Sequence, residues 1–282
     1  MDITNFEFNA LNLPSPTEEI FDECWNSIGI QVFVKRDDLI HPIISGNKWR
    51  KLKNYIQTFS LKKHSGILSF GGAYSNHLFA LAFVGHSLGI PTVGIVRGEE
   101  LNVTSNPYLQ QMNKWGMTLH FMARSLYRNK EIPSEYENYQ CIPEGGYGSQ
   151  AIDGMDTLFN ELPACDAIYC AMGTGATAIG IARATTVPVT GILTLNNRAE
   201  IEDHLKDFPA ANLKLDDNYI FGKYAKSNAD LDLFCKDFGE KHRIPIEPIY
   251  TGRMFYAMCD HIKNGHIAPD SKLVAIHTGG IK

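Results

Sequence analysis

The sequence predicts an α/β protein built on parallel sheets that are covered on both faces. Three observations carry this reading. Strand-like runs alternate with helical patterns along the chain. The strands are continuous apolar runs rather than in-out alternations, as strands buried on both faces should be. Glycine-rich or polar segments collect just after the strands, where open parallel sheets bind ligands.

Taken in order, residues 32–35 read as a strand, and a helix follows that begins near Asn47. Residues 66–70 form a strand, 76–88 a helix, and 91–96 and 117–121 two further strands. The polar, Glu-rich stretch 133–139 is expected to cross between two lobes. Residues 150–161 read as a helix, 167–171 as a strand and 177–184 as a helix. A strand at 187–195 and a helix at 198–208 follow, then helices at 229–242 and 254–263 and a last strand at 273–277. No internal repeat or low-complexity linker interrupts the pattern.

The 282 residues allow one large or two medium domains, and 44% hydrophobic content supports a real core. A net charge of −5 speaks against nucleic-acid or acidic-membrane partners. Six scattered cysteines form no CxxC pair, so neither a zinc ribbon nor a disulfide framework is expected, and no metal site is predicted. The acidic, polar start has no apolar core of a signal peptide, and no apolar run is long enough to span a bilayer. A cytoplasmic protein with reduced cysteines is the expectation.

Lys48 stands out. At 100° per residue, Trp49, Leu52, Tyr55, Ile56 and Phe59 form one stripe of its helix, and Lys48, one turn before Leu52, falls within it. Arg50 and Lys53 fall outside the stripe and Lys51 at its edge. Two readings are open: a helix-start lysine that snorkels to water, or a desolvated amine able to attack a carbonyl.

Four segments after strands carry chemistry. In Gly71-Gly72-Ala73-Tyr74-Ser75-Asn76-His77, Ser75 or Asn76 either caps the next helix or helps its N-terminus hold a carboxylate, and His77 is a packed or a binding histidine. Met172-Gly173-Thr174-Gly175-Ala176-Thr177 is a tight turn or a phosphate cradle. It lacks GxxxxGK[ST], and Gly180 comes too late for GxGxxG, so one phosphate fits better than a pyrophosphate. Tyr250-Thr251-Gly252 offers a packed ring or a phenol in a cleft, and His277-Thr278-Gly279-Gly280 offers a hydroxyl and a close backbone approach for a flat ligand. An inward lysine, a monophosphate cradle and hydroxyl or amide groups at strand ends together suit pyridoxal 5'-phosphate.

Lys35-Arg36-Asp37-Asp38-Leu39 followed by Gly46-Asn47-Lys48-Trp49-Arg50-Lys51-Leu52 resembles the K-R-[ED]-D-L…G-N-K-x-R-K-L segment of one family. This is the 1-aminocyclopropane-1-carboxylate deaminase and D-cysteine desulfhydrase family, within the tryptophan-synthase-β-like superfamily, fold type II of the pyridoxal-phosphate enzymes. The resemblance spans roughly residues 30–280. It implies that Lys48 is the Schiff-base lysine. It implies that Asn76 contacts the ring oxygen and Ser75 the substrate carboxylate, with His77 beside them. Gly173, Thr174, Gly175, Ala176 and Thr177 would form the phosphate loop, and Thr251 and Thr278 would stand near the ring nitrogen. Tyr250 and Tyr224 would orient the substrate or pass a proton. It also implies two α/β lobes with the cofactor in the cleft: residues 1–51 plus 158–282 as the large domain and 52–157 as the small one. A homodimer is usual for such relatives.

Three departures bear on activity. Thr251 stands where the deaminases carry an acid, Ala176 where the family usually has glycine, and the chain stops at Lys282 where relatives usually continue. A neutral partner at the ring nitrogen fits the desulfhydrase pattern. The leading expectation is therefore β-elimination from a small D-amino acid such as D-cysteine, giving a 2-oxo acid and ammonia. Deamination of 1-aminocyclopropane-1-carboxylate is the alternative, and a carrier that binds the cofactor without turnover is the reading from a different class.

Overall fold

A computed structural model of the chain describes residues 11–221 and 227–280. In chain order the elements are β1 (Thr17–Ile20), α1 (Glu23–Asn26), β2 (Gln31–Lys35), α2 (Asn47–Thr58), β3 (Ile67–Gly71) and α3 (Asn76–Leu88). Then come β4 (Thr92–Arg97), α4 (Pro107–Lys114), β5 (Thr118–Met122), α5 (Arg124–Tyr127), β6 (Gln140–Ile142), α6 (Ser149–Asp153) and α7 (Asp156–Phe159). Next are β7 (Ala167–Met172), α8 (Ala176–Ala184), β8 (Val189–Leu193), α9 (Arg198–Asp207), β9 (Leu213–Asp216), α10 (Ala229–His242), α11 (Thr251–Lys263) and β10 (Lys272–Ile276).

The chain divides into two compact units. The first takes in His41–Ile44 and Lys48–Gly154. Its sheet runs β5-β4-β3-β6, with every pair parallel. All five residues of β3 (Ile-Leu-Ser-Phe-Gly) are buried, as a central strand between two layers requires. Helix α3 starts where Ser75 Oγ accepts from Leu78 N–H at 3.2 Å and stops at Gly89, whose φ of 65° ends a helix without a Cβ penalty.

The second unit takes in Asn12–Ile40, Ser45–Asn47 and the chain from Met155 on. Its sheet runs β1-β2-β10-β7-β8-β9, parallel except that the edge strand β1 pairs antiparallel with β2. Alternate residues serve two cores. Leu273, Ala275, Tyr169 and Ala171 pack with α11 on one face; Val274, Ile276, Ile168 and Cys170 pack with α8 on the other. The parallel α/β architecture is thus the one the apolar strands predict.

Sequence reading missed β1, β6 and β9, which have four, three and four residues and carry too little apolar character to announce themselves (Thr-Glu-Glu-Ile, Gln-Cys-Ile, Leu-Lys-Leu-Asp). It also missed α4, which Asn106 caps at Leu109 N–H (2.9 Å) and Pro107 opens. The helix expected at 150–161 is two short ones, α6 and α7. Between them Gly154 comes so close to the Arg50 carbonyl that a Cβ would lie 2.2 Å from its oxygen, so the chain turns there. The stretch 133–139 is not a crossover but a 3₁₀ turn at Ser134–Tyr136 that leads into β6 of the first unit. Among the described residues no helix is long and apolar enough to cross a membrane.

Candidate active site

Lys48 is the second residue of α2, and it is half-buried. The stripe argument ranked the basic residues wrongly. Arg50 and Lys51 are more buried, at 2% and 8% exposure. The cause is tertiary: residues 144–154 cover the side of α2 that carries Lys51, Asn54 and Tyr55. Lys51 Nζ donates to Gly145 O (3.0 Å), Asn54 Nδ2 to Gln150 O (2.9 Å) and Tyr55 OH to Tyr147 O (3.1 Å). Lys51 is therefore held by the fold itself.

The loop after β3 belongs to the same unit as Lys48. Ser75 Oγ caps α3, and no acceptor for its proton exists among the described residues. The Asn76 Oδ1 is buried with no hydrogen-bond partner. His77 is buried, and its tautomer follows from its neighbour. Ser69 donates to Ile142 O at 2.7 Å, so Ser69 Oγ accepts the proton of His77 Nε2 at 2.9 Å. That leaves Nδ1 as a bare, buried acceptor without a partner. Burial, with the Lys51 and Lys48 charges nearby, pushes His77 down to about 3. It is a neutral acceptor at physiological pH.

In the second unit, β7 ends at Met172 and α8 begins at Ala176. Gly175 between them has φ +87°, and a Cβ there would lie 2.9 Å from Ile201 Cδ1, so only glycine makes this turn. The first N–H groups of α8 have no capping side chain. Thr174 Oγ1, Asn47 Oδ1 and Asn197 Oδ1 are buried and unpartnered. Asn197 Nδ2 holds the Gly173 carbonyl at 3.0 Å, and Asn47 Nδ2 donates to Thr177 Oγ1 at 2.9 Å. Lys48 is the next residue after Asn47. The uncapped N–H groups of α8 and the Thr174 hydroxyl are donors that an anion at this turn could use.

Tyr250 lies against this turn: a Cβ on Gly173 would sit 3.2 Å from its Cε1. Thr251 is fully buried and gives its hydroxyl proton to Glu247 Oε1 (3.2 Å), which leaves it no donor for a ring nitrogen. The Glu247 carboxylate also accepts from the N–H groups of Ile249, Tyr250 and Thr251 at 2.7 to 3.0 Å. Burial pushes Glu247 up while those backbone donors pull it down. Thr278 is buried, and its carbonyl accepts from Asn47 N–H at 3.2 Å. A Cβ on Gly279 would lie 3.0 Å from Ser45 Oγ and 3.1 Å from Gly46, so the segment before α2 itself requires glycine there. Tyr224 lies outside the described residues.

A sequence profile described as pyridoxal-phosphate dependent enzyme matches residues 21–279. The chain belongs to this family. Its cofactor is pyridoxal phosphate, and the uncapped α8 N–H groups with the Thr174 hydroxyl fit the phosphate of that group. The enzyme is 27% identical to a Pyrococcus abyssi protein named provisionally as a 1-aminocyclopropane-1-carboxylate deaminase, over 90% of this chain and 86% of that protein. It is 24% identical to the bifunctional D-cysteine desulfhydrase/1-aminocyclopropane-1-carboxylate deaminase of Arabidopsis thaliana mitochondria, over 97% of this chain and 78% of that protein. A crystal structure of an ACC deaminase homologue superposes with a TM-score of 0.79 at 23% identity, covering 100% of this chain and 96% of the other. The fold is that of the fold type II pyridoxal-phosphate enzymes.

Asn47, Asn197 and Glu247 are residues of this site that sequence reading did not select. Asn197 had a signal: it stands near the place where a dinucleotide fold would put an acid. Glu247 had none, because only the turn at Pro248 brings its carboxylate back to Thr251.

Proposed function

We propose that this enzyme removes a β-substituent and the amine from a small D-amino acid such as D-cysteine, yielding a 2-oxo acid and ammonia. The observation that carries the reading is the Asn47–Thr177 hydrogen bond at 2.9 Å, which ties the residue before Lys48 to the glycine turn. A turn that holds a phosphate and a lysine one peptide bond away are the two ends of a pyridoxal-phosphate site. When bound, the cofactor supplies an electron-withdrawing ring that stabilises negative charge at the substrate α-carbon.

The chain's residues divide the remaining work. The α8 N–H groups and the Thr174 hydroxyl would hold the phosphate, with Asn47 fixing Thr177 beside them. Lys48 Nζ would hold the cofactor at its aldehyde and, once freed by the substrate amine, would be the base for the α-proton. Asn76 meets the ring oxygen, and Ser75, with its uncommitted proton, binds the substrate carboxylate. Tyr250 orients the substrate beside Gly173. His77 Nδ1 accepts a hydrogen bond from a substrate donor. Thr251 and Thr278 present no charge to the ring nitrogen, which favours easy leaving groups such as sulfide over carbon-carbon cleavage.

The names of the relatives support a second reading, deamination of 1-aminocyclopropane-1-carboxylate to 2-oxobutanoate. A substrate panel separates the two. Purified holoenzyme is given D- and L-cysteine, D- and L-serine and the cyclopropane acid, and 2-oxo acid and sulfide are measured. Sulfide and pyruvate from D-cysteine, with no 2-oxobutanoate from the cyclopropane acid, is the expected result. The reverse pattern overturns the first reading in favour of the second, and no 2-oxo acid from any member of the panel overturns both.

A further inference from the structure

The first unit contains a cavity of about 590 Å³ that the cofactor chemistry does not use. It opens where the loops after three adjacent strands meet: Gly72 and Ala73 after β3, Arg97 at the end of β4, and α5 just after β5. The carboxyl ends of neighbouring parallel strands are where such sheets receive ligands.

The lining is strongly basic. Arg97, Arg124, Arg128 and Lys130 face it, against Glu100 and Glu144. Glu100 is taken by Arg124 in a two-pronged pair, and Glu144 is taken by Lys130. Arg97 and Arg128 pair with no carboxylate among the described residues. Two positive charges are therefore left over on one concave surface.

Tyr127, 2% exposed, is part of the lining and makes an edge-on contact with Phe70 at 5.9 Å. Lys130 Nζ stands 3.5 Å from the Tyr127 ring centroid and Arg97 Cζ 5.7 Å from it, so one ring has both cations against it. Lys130 reaches that place from a left-handed backbone (φ 53°), uncommon for a residue with a side chain. The buried Tyr127 hydroxyl meets no hydrogen-bond partner. Burial, the nearby Glu144 charge and the pull of the phenol proton toward that carboxylate push the phenol up, so it stays protonated at any working pH with Glu144 as its nearest acceptor.

We propose that this cavity binds a small molecule through a dianionic group, a phosphate monoester or a pair of carboxylates. The two uncompensated guanidiniums match the charge, their planar N–H forks match the oxygens, and Tyr127 supplies a further donor. The volume suits a metabolite rather than a polymer. Because Gly72 and Ala73 belong to the same loop as Ser75, the anion is either an acidic side chain of the substrate itself or a separate metabolite. An acidic substrate side chain here would replace D-cysteine as the substrate proposed above, whereas a separate metabolite leaves that substrate unchanged.

Inorganic phosphate is the first probe. Holoenzyme saturated with cofactor, so that its glycine turn is already filled, is titrated with phosphate at constant ionic strength by calorimetry, with chloride as the control. Saturable binding is expected. Its dissociation constant should rise about tenfold or more in Arg97→Gln/Arg128→Gln, and by a smaller factor in Tyr127→Phe. It should stay unchanged in Arg183→Gln, a basic residue of the other unit. All three arginines are exposed or half-buried at most, so these variants fold. No saturable binding, or equal constants for the wild type and the double variant, overturns the proposal. Kinetics then identify the source. Phosphate that competes with an acidic amino acid but not with its neutral isostere places a substrate side chain in the cavity. Phosphate that binds with KM unchanged for both places a separate metabolite there.

Discussion

Asn47 donates its side-chain amide to the hydroxyl of Thr177 at 2.9 Å, across 130 residues of sequence. The same asparagine donates its backbone N–H to the Thr278 carbonyl (3.2 Å). One residue thus ties the start of α2 to the glycine turn and to the last strand, with Lys48 next in the chain.

Removing that tie should loosen the cofactor. Asn47→Ala and Thr177→Val are each expected to weaken pyridoxal-phosphate binding roughly fivefold, about 1 kcal/mol for a part-buried hydrogen bond. An absorbance titration of apoenzyme measures it. Unchanged affinity in both variants would show that the contact only closes the loop.

Two lysines compete for the cofactor's aldehyde on burial grounds, and the structure separates them. Lys51 is committed to the Gly145 carbonyl. Borohydride reduction of holoenzyme should therefore label the peptide carrying Lys48. Lys48→Ala is expected to lose the label and on the order of 10³-fold or more in kcat. Lys51→Ala should keep the label. A label on Lys51 in the wild type sinks the assignment.

His77 gives a pH signature. Its folded value is near 3 against an ordinary 6.5. Above pH 6.5 both folded and unfolded chains are neutral there, so it contributes no pH dependence. As pH falls from 6.5 toward 3, the unfolded chain takes a proton that the folded chain refuses, and stability drops by about 1.4 kcal/mol per pH unit from this group. Urea midpoints of wild type and His77→Gln, measured at pH 7 and pH 5, test this. The variant should lose about 2 kcal/mol less than the wild type over that interval. Parallel pH curves would mean that His77 is protonated in the fold.

Gly46 should tolerate no side chain. Its φ is +66°, and a Cβ would fall 1.8 Å from the Thr278 carbonyl oxygen. Gly46→Ala is expected to cost at least about 2 kcal/mol, from left-handed strain plus displacement of backbone that cannot move independently. It should also lower cofactor affinity, because the displaced partner is Thr278. A urea midpoint within experimental error of the wild type would refute the close approach.

The strands, the helix starts and the glycine turn were legible because each is written in local pattern: apolar runs such as Ile67-Leu68, a capping Ser75, and two glycines at the carboxyl end of β7. The short edge elements were not. A four-residue strand such as Thr17–Ile20 exists because Val34 and its neighbours lie beside it, not because its own residues prefer to be extended.

The ranking of the basic residues on α2 shows the same division. By itself the sequence determined that Lys48 follows Gly46-Asn47 at the head of an amphipathic helix, and that a one-phosphate turn stands after a later strand. Both follow from residue type and spacing, which local sterics and periodicity read out. Only the tertiary structure decided that Arg50 and Lys51 are the deeper cations, that Glu247 takes the proton of Thr251, and that Asn47 reaches Thr177. These depend on which distant segment covers which face, and a hydrogen bond across 130 residues leaves no period in the chain.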